Sequence, residues 1–360
     1  MNTMIQLRLT THAGIEDVVE NELRDRALKI GCEITQIAQK PFDLDGQILV
    51  ESSDSSLLEV ALKARSVFHV MRQIDHFFLT SDPADLKQIY AELLKLNIPE
   101  METAETFRIT TQRKGKHGFR AMDVQRLAGS ALIERYGKKV NLDQPEVNVR
   151  VDVYDRLCLV SLQQTQNALD QRQTQVWRPR IALKTTMAYA MLQLCELEGR
   201  ERLLDPFCGS GTILMEAATV FPNLELYGRD RLAEAVTGVK ENIRAAHFSH
   251  QIQIQPGDAR DLAPDYPAGF FDAIVTNPPY GVHLGPNIDF DRLYRKFLSG
   301  AEKILKPQGR MVVLVGKGRG AFKKIISQRE TFQIHEERLV NTGELYPHLL
   351  ICDRVASMSD

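Results

Sequence analysis

The run Leu203-Leu204-Asp205 and the turn after it, Pro206-Phe207-Cys208-Gly209-Ser210-Gly211-Thr212, narrow the possible folds more than any other stretch. They read as a short buried strand ending in a carboxylate, then a glycine-rich turn opening a helix over Ile213 to Val220. A side chain at Gly209 or Gly211 would keep a cofactor away from the backbone, which gives both glycines a reason. From Ile181 onward strands alternate with helices, the pattern of a parallel sheet. Strands are expected at 202–205, 224–228, 251–255, 271–276 and 310–316, with a terminal hairpin near 332–338 and 348–354. The ligand crevice of such a doubly wound sheet lies at its strand ends.

Three carboxylates, Asp205, Asp230 and Asp258, fall at successive strand ends. Asp230 follows Gly211 by nineteen residues, the spacing at which an acid on the next strand reaches a ribose. Asp258, beside Ala259, is placed to meet an adenine amino group. A nicotinamide dinucleotide would want a third glycine where Leu214 stands, and a turn without the negative charge of Asp205. S-adenosyl-L-methionine carries an ammonium and a sulfonium, so a carboxylate suits it. An ordinary strand–turn–helix corner would not need three acids in register. Cofactor binding is the better reading.

Some seventy residues on, Phe271 to Val275 reads as a buried strand that runs into Thr276-Asn277-Pro278-Pro279-Tyr280-Gly281. The Asn277 side-chain oxygen and the Pro278 carbonyl can accept from an exocyclic amine, and the two prolines fix the carbonyl direction. Tyr280 can stack on a base, a contact worth about 1–3 kcal/mol. A double-proline turn can also be purely structural, but its place downstream of the cofactor turn favours methyl transfer to an amine. Cys208 sits in the cofactor turn and reads as a small packed residue, not a nucleophile. No metal-ligand cluster or Ser-His-Asp set stands out, and His117 and His283 read as surface or nucleic-acid-contacting.

The front half differs. Residues 4–78 have a β-α-β-β-α-β order, a ferredoxin-like arrangement. A second unit follows, with a helix from Asp82-Pro83 to Leu96, a strand at 107–111, a helix at 122–136 and a hairpin of 147–154 with 157–162. The formal net charge of the 360-residue chain is only -2, so a nucleic acid would have to be held by a local basic face. Residues 101–140 hold nine Lys/Arg against four acids, with Arg113, Lys114, Lys116 and Arg120 in one glycine-containing loop. The polar stretch 166–180, which reads as a linker, and its flank to 185 add Arg172, Arg178, Arg180 and Lys184 against Asp170 alone. A charge run is ordinarily a solvated face, but this clustering favours phosphate contacts. Trp177, the single tryptophan, reads equally as an interdomain anchor or a stacking residue. The five cysteines form no CxxC pair, and no apolar run reaches membrane-spanning length. These features imply a reducing compartment, the cytoplasm, with no membrane partner.

Together the two motifs and the front half resemble the THUMP-containing class I RNA guanine-N2 methyltransferases, and the resemblance covers essentially the whole chain. It implies an α/β architecture with 1–80 ferredoxin-like, 81–165 THUMP, 166–180 linker and 181–360 a Rossmann-like class I methyltransferase domain. It also implies S-adenosyl-L-methionine as cofactor, held by Asp205, Phe207, Gly209, Gly211, Thr212, Asp230, Asp258, Ala259 and Asn277. Asn277, Pro278 and Tyr280 would serve catalysis, Arg113, Lys114, Lys116, Arg120, Arg178 and Arg180 would bind RNA, and no metal is expected. Only eleven residues separate Thr212 from Leu224, and the linker reads Asp170-Gln171-Arg172-Gln173-Thr174-Gln175. Both traits favour the branch that methylates guanosine 6 of the tRNA acceptor stem, acting as a monomer. The alternatives are a 23S rRNA guanine-N2 methyltransferase, a DNA adenine-N6 methyltransferase and a catalytically inactive RNA-binding factor.

Overall fold

The computed structural model describes residues 4–80, 84–173, 175–179, 182–281, 288–343 and 345–355. The chain opens with β1 (Ile5–Thr10), α1 (Glu16–Ile30), β2 (Gln36–Gln39), β3 (Gln47–Ser52), α2 (Leu57–Leu62) and β4 (His69–Phe78). Its four strands lie in the order β2-β3-β1-β4, each antiparallel to its neighbour. Leu7, Leu9, Ile48 and Val50 alternate inward and bury against Val19, Leu23, Leu57 and Val60 of the two helices. This is the ferredoxin-like order expected from the β-α-β-β-α-β sequence of elements.

Next come α3 (Asp85–Lys95), α4 (Pro99–Thr103), β5 (Thr106–Thr110), β6 (Arg113–Lys114), α5 (Ala121–Tyr136), β7 (Lys139–Val140), β8 (Val147–Tyr154) and β9 (Leu157–Gln163). The sequence presents these as a second unit, but they do not form a second sheet. β9 runs antiparallel to β4 from Met71↔Gln163 to Phe78↔Leu157. One sheet therefore continues as β2-β3-β1-β4-β9-β8-β5-β7, with β6 on β8. Leaving β4 as an open edge would expose a row of unpaired backbone groups.

The sheet is riveted by charge where its halves meet. Arg8, between the inward Leu7 and Leu9, points to the other face and is 1% exposed. It donates to Asp152 at 2.6 Å, Ser161 at 3.0 Å and Gln47 at 3.1 Å. Arg150 also pairs with Asp152, at 3.0 Å. Burial alone would raise the Asp152 pKa, but the two guanidiniums outweigh it and hold it below the ordinary range.

The rest of the chain supplies α6 (Thr185–Leu194), β10 (Arg202–Asp205), α7 (Thr212–Val220), β11 (Glu225–Asp230), α8 (Ala233–Ala245), β12 (Ile252–Pro256), β13 (Phe271–Thr276), α9 (Phe290–Ile304), β14 (Leu305–Val315), α10 (Arg319–Ser327), β15 (Phe332–Leu339) and β16 (His348–Arg354). The sheet order is β12-β11-β10-β13-β14-β16-β15, parallel except for β16. β14 begins at Leu305, five residues before the start expected from its apolar run. The two halves share a core, since Ile15, just before α1, and Val18 of α1 lie in one apolar cluster with α6 and α7. No described helix is long and apolar enough to cross a membrane.

Asp152→Ala would strand two buried guanidiniums where β8 meets the first unit. It should lower stability by about 3–5 kcal/mol, read from the denaturant midpoint. Because the Asp152 pKa is depressed in the fold, this contribution is present above its unfolded pKa and fades as pH falls toward the folded one.

Candidate active site

β10 and β13 are parallel neighbours, with Leu203 opposite Ala273 and Leu204 opposite Ile274. The strand order reverses here, because β11 follows β10 on one side and β14 follows β13 on the other. The crevice of a doubly wound sheet opens at this reversal. The two motifs, seventy residues apart in sequence, are thereby joined by a hydrogen bond. Thr276 Oγ1 donates to Asp205 Oδ1 at 2.6 Å, and the Phe207 amide donates to the same oxygen at 3.1 Å. Asp205 is 1% exposed, and burial pushes its pKa up to about 7 against the pull of both hydrogen bonds.

The glycine turn shows two different demands. Gly209 has φ +50, and the nearest atom to a Cβ there would be the Phe207 carbonyl oxygen at 4.0 Å, so the space before it is open. At Gly211, with φ +81, a Cβ would strike Val239 of α8 at 2.5 Å. Helix packing and left-handed backbone therefore already require glycine here, whatever approaches the turn. The missing third glycine also has an explanation. A Cβ on Gly228 of β11 would meet Leu214 at 2.5 Å and Ile254 at 2.6 Å. The close approach of helix to strand is kept, with the small residue moved from α7 to the strand.

The remaining acids line the same strand ends. Asp230 accepts from the Gly209 amide at 3.1 Å and the Leu232 amide at 2.9 Å. Asp258 takes the Arg260 amide at 2.9 Å and its guanidinium on both oxygens, and this pairing holds its pKa low. Ala259 is buried beneath it, and Phe207 packs edge-on against Phe297 at 5.5 Å. The Thr212 hydroxyl is turned to Ser210 Oγ at 3.0 Å and Gln175 Nε2 at 3.2 Å. Burial drives the Cys208 thiol far up, so it offers no thiolate nucleophile. Among the described residues no group of three or more His, Cys, Asp or Glu is placed to hold a metal ion.

At the end of β13, Asn277 Oδ1 is buried without a hydrogen-bond donor. Tyr280 packs closely against Gly316, where a Cβ would fall 2.6 Å from its ring, and burial keeps the phenol protonated. Gly316-Lys317-Gly318, just past β14, thus adjoins the Asn-Pro-Pro-Tyr turn, and a Cβ on Gly318 would strike Phe290 at 2.6 Å. The sequence reading missed this wall, although two glycines beyond an apolar strand signal a close approach. His283 lies outside the described residues.

The basic loop belongs to the other sheet. β6 carries Arg113 and Lys114, and Gly115 turns tightly over Asp155, where a Cβ would sit 2.2 Å from a carboxylate oxygen. Arg113 Nη1 is 2.8 Å from His117 Nδ1, Lys116 is exposed, and Arg120 stands at the start of α5. Arg178 is exposed and donates to Gln175 at 3.1 Å, while Arg180 lies outside the described residues. The linker patch is weaker than its sequence count. Arg172 pairs with the buried Glu216 at 2.7 Å and Lys184 with Asp170 at 2.8 Å. Trp177 packs on α8, where a Cβ on Gly238 would fall 2.1 Å from its ring. It anchors the linker to the second half, where its amide and carbonyl also bond to Asn242.

Residues 83–163 match the THUMP domain model, and residues 172–347 match the RMKL-like methyltransferase domain model. A tRNA (guanine(6)-N2)-methyltransferase from Thermus thermophilus is 32% identical over 355 residues, spanning 97% of this chain and 99% of its own. The chain belongs to the tRNA (guanine(6)-N2)-methyltransferase family. Members of this family are enzymes, and the chain is a methyltransferase. The crystal structure of TrmN from Thermus thermophilus superposes with a TM-score of 0.79 at 31% identity, covering 98% of this chain and all of that one. A putative methyltransferase complexed with SAH shares the fold at 17% identity, TM-score 0.77, over the full length of both chains.

Gly228→Ala should push α7 off the sheet and cost about 1–3 kcal/mol, and Leu214→Ala in the same chain should recover part of that loss. Thermal melts of the two single variants and the double variant check this. Additive losses would mean that the two residues do not share the space.

Proposed function

We propose that this enzyme methylates the exocyclic N2 amine of guanosine 6 in the tRNA acceptor stem, using S-adenosyl-L-methionine, in the cytoplasm. The observation that carries the reading is the unpartnered Asn277 oxygen, one residue beyond the Thr276–Asp205 bridge. A buried acceptor without a donor costs about 1–3 kcal/mol, and an amine brought to it relieves that cost.

The residues present fit the cofactor. Gly209 leaves open space, Asp205 offers a buried carboxylate to a cation, and Asp230 keeps lone pairs for ribose hydroxyls. Asp258 and Ala259 would border the adenine, with Arg260 released from the Asp258 carboxylate, and Phe207, Gly211 and Thr212 would shape the turn. When bound, S-adenosyl-L-methionine supplies an electrophilic methyl group. Asn277 Oδ1 and the Pro278 carbonyl would accept the two N–H groups of the amine and so aim its nitrogen lone pair. Tyr280, wedged against Gly316, would hold the base by stacking. Positioning of this kind supplies most of the acceleration that the site needs. A paired guanine hides its amine, so the base must be flipped out at a cost of a few kcal/mol. Arg113, Lys114, Lys116, Arg120 and Arg178, with Arg180, would hold the phosphates.

Labelled cofactor incubated with total tRNA, rRNA and DNA, followed by digestion to nucleosides, tests the reading. Label should appear as N2-methylguanosine from tRNA and vanish when guanosine 6 is replaced. Label in rRNA or DNA instead would overturn it. Asn277→Ala should reduce turnover at least about a hundredfold while S-adenosylhomocysteine still binds within about threefold, by calorimetry. Binding of that cation-bearing product should require ionised Asp205, whose pKa stands near 7 in the free protein. Affinity should therefore be level above that pH and fall by up to about tenfold per unit below it, whereas Asp205→Asn should flatten the profile.

A further inference from the structure

Glu216 lies one turn past the cofactor turn on α7, and it is fully buried. Arg65, from the loop between α2 and β4, grips it in a fork, with Nε at 2.6 Å and Nη2 at 3.0 Å. Arg172 of the linker adds a contact at 2.7 Å, and Gln173 one at 3.2 Å. Gln173 also reaches the Thr212 carbonyl at 3.2 Å. The far side of the fork is itself held, because Glu22 of α1 accepts the Arg65 and Ser66 amides at 2.8 and 2.9 Å. One carboxylate thus ties the first unit, the linker and the cofactor helix together.

A second attachment joins the same halves at another place. His12 is 2.8 Å from the Asn341 carbonyl and 3.1 Å from Thr186 Oγ1. Asp17 pairs with Arg338 at 2.6 Å, and Gly14 closes on the Leu339 carbonyl, which a Cβ would approach to 2.3 Å. Two separate attachments fix an orientation, whereas one alone permits rotation about itself.

We propose that the Arg65–Glu216–Arg172 cluster is a positioning device that sets which nucleotide reaches Asn277. It does so by fixing the basic front half against the methyl-transfer site. The inference rests on the reading of the chain as an enzyme that holds RNA in one half and methylates it in the other. An RNA gripped at Arg113 to Arg120 presents the nucleotide whose distance from that grip matches the span to the site. Freedom at the joint widens that span, so neighbouring guanosines compete. Loss of alignment costs rate as well, since small misplacements near the reacting atoms are felt strongly.

Arg65→Met tests this without leaving Glu216 bare, because Arg172 still neutralises it. The variant should bind S-adenosylhomocysteine within about twofold of wild type and tRNA within about threefold, while kcat falls about tenfold. Methylated tRNA, digested and mapped by mass, should carry N2-methylguanosine at guanosines other than the wild-type site. Arg65→Lys, which keeps the charge but cannot fork, should fall between the two. Should Arg65→Met melt lower, Val60→Ala in the core of the same unit, compared at equal fraction folded, is the control and must keep a single site. Single-site methylation at wild-type rate by Arg65→Met would overturn the proposal, as would the same broadening in Val60→Ala. If wild type marks a nucleotide other than guanosine 6, the functional reading fails, whereas the joint is still judged by whether Arg65→Met broadens that site.

Discussion

The hydrogen bond from Thr276 to Asp205 is the interaction on which the second half turns. A carboxylate 1% exposed is expensive to ionise, and among the described residues a hydroxyl and one amide support it. Those donors come from the next strand and from the turn itself, so the charge can be held only if β10 and β13 are adjacent. That adjacency is also the reversal in strand order that opens the crevice. Asn277 follows Thr276 directly, which places its buried oxygen beside the glycine turn. The same bond thus fixes the distance between the two motifs.

Sterics then set how closely the layers approach. Gly211 yields to Val239, Gly228 to Leu214, and Gly316 to Tyr280. Each glycine lets a bulky partner from another element come within contact distance of backbone. A close-packed interior tolerates little change at such points. The turn is consequently held from two sides, by α8 beneath Gly211 and by the linker through Gln175 and Gln173.

Much of this was legible in the sequence, and the misses share a cause. The strand, helix and hairpin order of the front half and the glycine turn before α7 were legible, because these signals are local. The pairing of β4 with β9 was not legible, since alternation shows which face a strand buries and not which edge it joins. The packing demand on Gly211 was not legible, because Val239 is far away in the chain. Met187 to Leu192 of α6 are buried throughout and carry no amphipathic period to read. The linker charge was overcounted because the acid that neutralises Arg172 lies forty-four residues downstream.

The chemistry of the acceptor explains why the architecture needs two halves. In their proposed roles Asn277 Oδ1 and the Pro278 carbonyl can only accept, so they would select an amine without separating guanine from adenine. Tyr280 would stack on any base with similar strength. Discrimination must therefore be delivered to the site by geometry, through which nucleotide arrives and which edge it presents. An electrostatic grip on phosphates is itself blind to sequence. It becomes selective only when the distance and angle between grip and site are fixed. On the proposal made for Arg65, Glu216 and Arg172, the buried joint would belong to substrate recognition as much as the pocket.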